Sequence, residues 1–236
     1  MRAVKLYSTG DIRTVDVDVP SPAKNEILIK VEAAGICGTD RHLYQGEFPS
    51  VADKILGHEF SGLVMDSGKT DIAEGVRVTC DPNTWCGACS QCERGRVNLC
   101  PNNLATGIHR DGGFAEFCVF PASKAVVLPN EINPLYGAFC EPLACTLHGM
   151  DIGAVSEGET VLVIGGGVIG LMAVQLAKLS GAEVMLLTRS PEKQTLGLNI
   201  GADYAVGTES GVRNIWPDGA DLVVECAGVS ATVTLS

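Results

Sequence analysis

The sequence predicts an α/β protein in two parts, a β-barrel-like domain followed by a parallel sheet built from alternating strands and helices. Three observations carry this. Short β-rich runs separated by Gly, Pro, Asn and Asp clusters fill residues 1–127. Pro129 and Pro134 then bracket a break, and from Thr160 onward the texture changes to strand–helix units. The expected division is a β-rich domain over residues 1–145 and an α/β domain over residues 146–236.

In the first part, residues 26–32 and 75–79 read as strands, and residues 135–150 carry enough Ala, Leu, Cys and Met to form one connecting helix. In the second part, residues 161–164 form an apolar strand, followed by a glycine turn and a helix that Gly181 stops. A strand over 183–188 leads to Ser190-Pro191-Glu192, which supplies an N-cap, a first-turn proline and an acidic residue for the next helix. A weaker strand over 204–206 and a strong one over 222–226 follow.

Composition narrows the functional classes. A chain of 236 residues with 46% hydrophobic content can bury a large core, which excludes disorder. Seventeen Lys and Arg against 28 Asp and Glu give a net charge of −11, which repels nucleic acid and acidic membranes and favours small-molecule ligands. Residues 1–10 lack a signal-peptide core, and the longest apolar run, 161–174, is interrupted by Gly165, Gly166, Gly167 and Gly170. A cytoplasmic protein without a membrane span is expected. Ten cysteines in a reducing compartment read as metal ligands or buried thiols.

Cys86, Cys89, Cys92 and Cys100 follow the pattern C-x2-C-x2-C-x7-C in a polar loop. Four thiolates within one metal's reach predict a closed, structural zinc site. A ferredoxin-type cluster is the rival because Pro101 follows Cys100, but seven intervening residues stand where that run has three. Cys80, Cys118, Cys140, Cys145 and Cys226 have no such spacing and are expected to be buried. Cys37 in Gly35-Ile36-Cys37-Gly38-Thr39-Asp40 and the pair His58-Glu59 offer a thiolate, an imidazole and a carboxylate for a second zinc with an open position. On composition alone, an isolated His-Glu pair reads sooner as a surface or hydrogen-bonded pair than as metal ligands.

Gly165-x-Gly167-x2-Gly170 lies between a strand and a helix that begins with Val168 and Ile169, the context in which this motif binds a dinucleotide pyrophosphate. An NAD enzyme presents Asp or Glu about 20 residues further on. Thr188-Arg189-Ser190 stands there instead. Arg189 can pair with a 2′-phosphate and Thr188 or Ser190 can donate to it, which favours NADP; with Arg189 solvated and Ser190 only a helix cap, NAD remains open. A complete dinucleotide-binding sheet has six strands and four are legible, so this domain is expected to be incomplete at its C-terminal end.

Taken together, the four-cysteine loop, Cys37 before a hydroxyl residue, and Gly57-His58-Glu59-x2-Gly62-x5-Gly68 resemble the zinc-containing medium-chain alcohol and polyol dehydrogenases over the whole chain. Glu59 and Phe139-Cys140-Glu141-Pro142-Leu143 are most similar to the sorbitol and threonine dehydrogenase branch. The sequence departs from the family signature at Asp71 and Val76, in a surface turn. The resemblance implies a GroES-like β-barrel catalytic domain, a Rossmann domain, and Cys37, His58 and Glu59 as catalytic zinc ligands. Glu141 ligates the zinc or hydrogen-bonds its water, and Thr39 relays the substrate proton, with His42 and Asp40 as further relay candidates. It further implies a secondary alcohol as substrate and a homo-oligomeric complete protein. The competing reading is a non-catalytic zinc- and nucleotide-binding protein or an inactive dehydrogenase fragment.

Overall fold

The computed structural model describes residues 1–49 and 52–234. Two compact units divide the chain at Glu141 and Pro142. The expected division after residue 145 falls inside the helix that carries this junction.

The first unit runs β1 (Arg2–Ser8), β2 (Asp11–Asp16), β3 (Glu26–Gly35), α1 (Gly38–Gln45), β4 (Lys54–Ile55), β5 (Glu59–Asp66), β6 (Arg77–Cys80), β7 (Asn83–Thr84), α2 (Ser90–Glu93), β8 (Leu104–Ala105), β9 (Phe117–Pro121), β10 (Ala125–Val127) and α3 (Pro134–Ala138). Its main sheet is antiparallel with the order β10-β6-β5-β3-β9, beside a β2-β1-β4 sheet and a β7-β8 ribbon. Alternation along β3 turns Ile27 and Ile29 inward, where they join Phe60, Val64, Val78, Cys80, Cys118 and Phe120 in one buried cluster. Phe60 and Phe120 meet edge to face, with centroids 5.6 Å apart. Gly62 in β5 lies directly against the Lys30 carbonyl of β3, where a side chain would not fit.

The second unit holds most of α4 (Cys140–Gly153), then β11 (Thr160–Ile164), α5 (Val168–Leu179), β12 (Glu183–Leu187), α6 (Pro191–Asn199), β13 (Tyr204–Val206), α7 (Glu209–Ile215), β14 (Leu222–Glu225) and α8 (Ser230–Val233). The strands form a parallel sheet in the order β13-β12-β11-β14. Val161, Val163, Val184 and Leu186 face Ala173, Val174 and Ala177 of α5 on one side; Leu162, Ile164 and Met185 pack with Val212 and Trp216 on the other. Burial on both faces explains why these strands read as continuous apolar runs.

The single helix expected over 135–150 is two helices with a break at Phe139. Pro142 supplies the reason: its ring excludes the carbonyl four residues back, and its missing N–H costs nothing in the first turn of a new helix. Two ordinary cores imply ordinary costs for opening them. Phe60→Ala, at a fully buried position, is expected to lower stability by roughly 3–5 kcal/mol, read as a lower urea midpoint.

Candidate metal centres and dinucleotide turn

The β3–β5 ladder sets Gly35 opposite Glu59. The chain leaving β3 reaches Cys37 two residues later, and the chain entering β5 has just passed His58. Cys37, His58 and Glu59 thereby offer donor atoms that all lie within 4.8 Å of one another. A side chain at Gly35 would collide with the Glu59 carboxylate, so glycine there makes room for the ligand.

Cys37 caps α1, and Asp40 in the first turn accepts its N–H at 2.8 Å. The second Asp40 oxygen lies 3.8 Å from His58 Nδ1, and neither atom has another partner among the described residues. Nδ1 facing Asp40 leaves Nε2 for an ion, the usual orientation of a supported histidine ligand. Desolvation works against a charged His58, yet Cys37, Asp40 and Glu141 together carry its pKa to about 9. Burial raises the Glu59 carboxyl. His58 thus holds a proton at neutral pH where a divalent cation would sit.

Glu141, near the start of α4, lies outside the trio, but its charge raises both His58 and Glu59. The Thr39 hydroxyl is 3.7 Å from the Cys37 sulfur. His42 is not brought to the trio: Asp40 and Leu43 occupy the buried face of α1, so His42 turns outward and pairs with Glu47 at 2.7 Å.

The four sulfurs of the β7–β8 lobe come together in a second group. Cys89 lies 3.5 Å from Cys92 and 3.9 Å from Cys100, and Cys100 lies 3.6 Å from Cys86. None of the ten cysteines is in a disulfide. A tetrahedron of zinc–sulfur bonds near 2.3 Å has edges of roughly 3.8 Å, so the spacing fits one ion and is too tight for a multi-iron cluster. The Ala88 amide and Cys100 lower Cys86 to about 6, whereas desolvation and Cys89 push Cys92 up to about 11. Only a cation lets all four ionise together. Sequence reasoning missed the root of this lobe, where buried Lys124 binds Asp81 at 2.7 Å and sits 3.2 Å over the Trp85 ring. Cys80 and Cys118 are buried as expected, but Cys145 is exposed because only Pro142, Thr146 and Met150 of α4 face inward.

In the second unit, Gly165 has φ +109°, and a Cβ there would stand 2.9 Å from the Ala227 nitrogen. Gly170 packs on the Gly165 carbonyl. Gly167 differs: its φ of −81° suits any residue, and a Cβ would meet nothing within 4 Å. Neither strain nor packing demands glycine there, whereas an approaching phosphate does. The first bond of α5 runs from the Leu171 N–H to the Gly167 carbonyl, so the Val168 and Ile169 amides project from the helix end.

Beyond β12, Thr188 is buried and its carbonyl accepts from Gln194 at 2.7 Å. Arg189 is exposed and has no hydrogen bond or ion pair among the described residues. Ser190 is already engaged, accepting the Lys193 N–H at 3.3 Å and donating to Glu192 at 2.7 Å. Its role is the cap, and donating to a phosphate would require leaving Glu192. Lys193 was missed: its Cβ lies 3.0 Å from where a Gly166 Cβ would be, which places its stem over the glycine turn. A cation in the first turn of a helix opposes the dipole, and that was the available signal.

Residues 23–130 match the alcohol dehydrogenase GroES-like domain and residues 168–236 match the zinc-binding dehydrogenase domain. Sorbitol dehydrogenase of Halalkalibacterium halodurans is 36% identical over 94% of this chain and 68% of its own length. A zinc-binding dehydrogenase from Sinorhizobium meliloti, solved with NADP, superposes with a TM-score of 0.94 at 51% identity, covering 98% of this chain and 71% of that one. The chain belongs to the zinc-binding alcohol and polyol dehydrogenases. A further structure, described as a short chain alcohol dehydrogenase from E. coli CFT073 complexed with NADH, gives a TM-score of 0.90 at 30% identity, covering 100% and 73% of the two chains. The family is one of zinc-dependent, nicotinamide-linked oxidoreductases with a GroES-like and a Rossmann domain, which sets aside the non-catalytic reading. Among the described residues, no helix is long and apolar enough to cross a membrane.

The raised His58 pKa predicts a pH signature for this dehydrogenase without metal. Its folded value of about 9 exceeds the ordinary 6.5, so the stabilisation is complete below pH 6.5 and is lost as pH rises through about 9. A zinc-loaded chain, whose His58 carries no such proton, should lack this decline. Thermal unfolding of chelated and zinc-loaded protein between about pH 6 and 10 checks both arms.

Proposed function

We propose that this protein reversibly oxidises a secondary alcohol of a polyol or similar hydroxylated compound to a ketone, with one catalytic zinc, one structural zinc and NADP in preference to NAD. The observation that carries the reading is the convergence of Cys37, His58 and Glu59 within 4.8 Å. Two of these donors are anionic when ligating, so a divalent ion is neutralised and remains open to a hydroxyl. When bound, zinc would supply Lewis acidity toward the alcohol oxygen and a nicotinamide would supply the hydride acceptor.

The residues of the chain do the rest. Asp40 fixes the His58 ring and the Cys37 amide. Thr39 Oγ1, beside the Cys37 sulfur, takes the proton leaving the substrate hydroxyl and passes it outward. Glu141 adds negative charge near both His58 and Glu59, either as a ligand or as a hydrogen-bond partner of the zinc water. Cys86, Cys89, Cys92 and Cys100 form a site filled by protein sulfur and therefore structural. Ten cysteines without a disulfide suit a reducing cytoplasm.

NADP is supported by the partnerless Arg189 at the end of β12, the Lys193 stem over the turn, and the lack of a carboxylate at 188–190. The Sinorhizobium meliloti structure, bound to NADP, agrees. The sorbitol dehydrogenase relative supports a polyol substrate.

Two measurements test this reading. Cys37→Ser should reduce bound zinc from about two ions per chain to about one and abolish NADPH formation with polyols; unchanged zinc or activity refutes the catalytic centre. Arg189→Leu should raise KM for NADP by roughly tenfold or more while sparing NAD; equal effects on both cofactors refute the phosphate assignment.

A further inference from the structure

The order β13-β12-β11-β14 places successive strands on one side of β11 and then β14 on the other, which makes the β11/β14 seam the switch point where open α/β sheets bind ligands. Two chain segments meet at its carboxyl end. One is the glycine turn after Ile164, and the other is the turn after Glu225, the residue paired with Ile164 in the ladder. The second turn approaches closely: the Cys226 N–H donates to the Ile164 carbonyl at 2.8 Å, and the Gly165 Cα faces the Cys226–Ala227 peptide with no room for a side chain.

The Glu225 carboxylate holds that second turn in shape. It accepts the Ala227 N–H at 2.8 Å, the Gly228 N–H at 3.1 Å and the Thr232 hydroxyl at 2.7 Å. Gly228 at φ +66° lets the chain curl back over the carboxylate. Bonds to an ionised acceptor are stronger than neutral ones. Against partial desolvation, Thr232 and the two amides keep this carboxyl below its usual range, so it is ionised at neutral pH.

We infer that Glu225 is a positioning residue for the dinucleotide: by tying down residues 227, 228 and 232 it fixes the second wall of the cofactor crevice against Gly165. The Ala227 and Gly228 amides are spent on Glu225, so the pyrophosphate is left to the exposed amides of Val168 and Ile169. The carboxylate therefore shapes the crevice without touching the reacting atoms. This inference rests on the dehydrogenase reading above.

The test is a titration of zinc-loaded protein with NADPH and NADH, followed by protein fluorescence, with zinc content and thermal unfolding measured alongside. Glu225→Ala should weaken both cofactors by roughly tenfold, raise their KM, and leave zinc content and kcat at saturating cofactor near wild type, the scale of one or two lost hydrogen bonds. Glu225→Gln, which keeps an acceptor, should recover most of the affinity; Thr232→Val, which removes one donor, should show a smaller loss and serves if Glu225→Ala does not fold. Wild-type affinity in Glu225→Ala or Thr232→Val, or a drop in kcat and zinc in place of cofactor affinity, overturns the inference alone. A wild-type chain that binds neither cofactor overturns the dehydrogenase reading and this inference with it.

Discussion

The metal chemistry depends on the register of one antiparallel pair. Gly35 opposite Glu59 brings the segment after β3 beside the segment before β5, and this alone joins Cys37 to His58 across 20 intermediate positions of unrelated sequence. A slip of one residue would turn Phe60 and Val64 out of the core, because side chains alternate along a strand. Their complete burial therefore locks the ligands as well as the barrel. Glycines at 35 and 62 serve the same register from opposite directions, one clearing the Glu59 carboxylate and the other admitting the Lys30 carbonyl.

How much of this was legible in the sequence follows from where the partners lie along the chain. The four-cysteine site is local, with all ligands in one loop, so spacing alone predicts it and the sulfurs meet as expected. The Cys37, His58 and Glu59 site depends on strand pairing, which residue types do not encode; donor chemistry offered the three as a set, and the family resemblance made them the ligands. The strands of the second unit were visible as apolar runs because both faces of the sheet are covered. The break at Phe139 was hidden: Pro142 suits a helix start or a kink equally well, and the helix-rich composition of 135–150 outweighed it. Rotational position was the other blind spot. Cys145 sits on a helix whose buried face is set by tertiary contacts, and it turns outward.

The cofactor turn separates two kinds of glycine that a motif treats alike. Gly165 and Gly170 are demanded by the protein's own backbone, one by its positive φ and the approach of Ala227, the other by the Gly165 carbonyl. A glycine of that kind persists in any protein with this packing, liganded or not. Gly167 has an ordinary φ and open space before it. An alanine there would meet no strain and no clash, and would cost the fold only the difference between glycine and alanine as a helix N-cap.

Charge completes the division of labour between the two metal sites. Cys37 and Glu59 as anions with a neutral His58 would bring a divalent ion to zero and leave it electrophilic toward a hydroxyl oxygen. Four thiolates would bring the same ion to a charge of −2, weaken its pull on any further oxygen and leave it no vacant position. The two donor sets thus suit one kind of cation to different chemistry through donor count and charge. The Lys193 stem over the glycine turn sets a cation beside the start of α5 in a chain whose net charge is −11, and a local cation of that kind offsets the long-range repulsion an anionic ligand would meet.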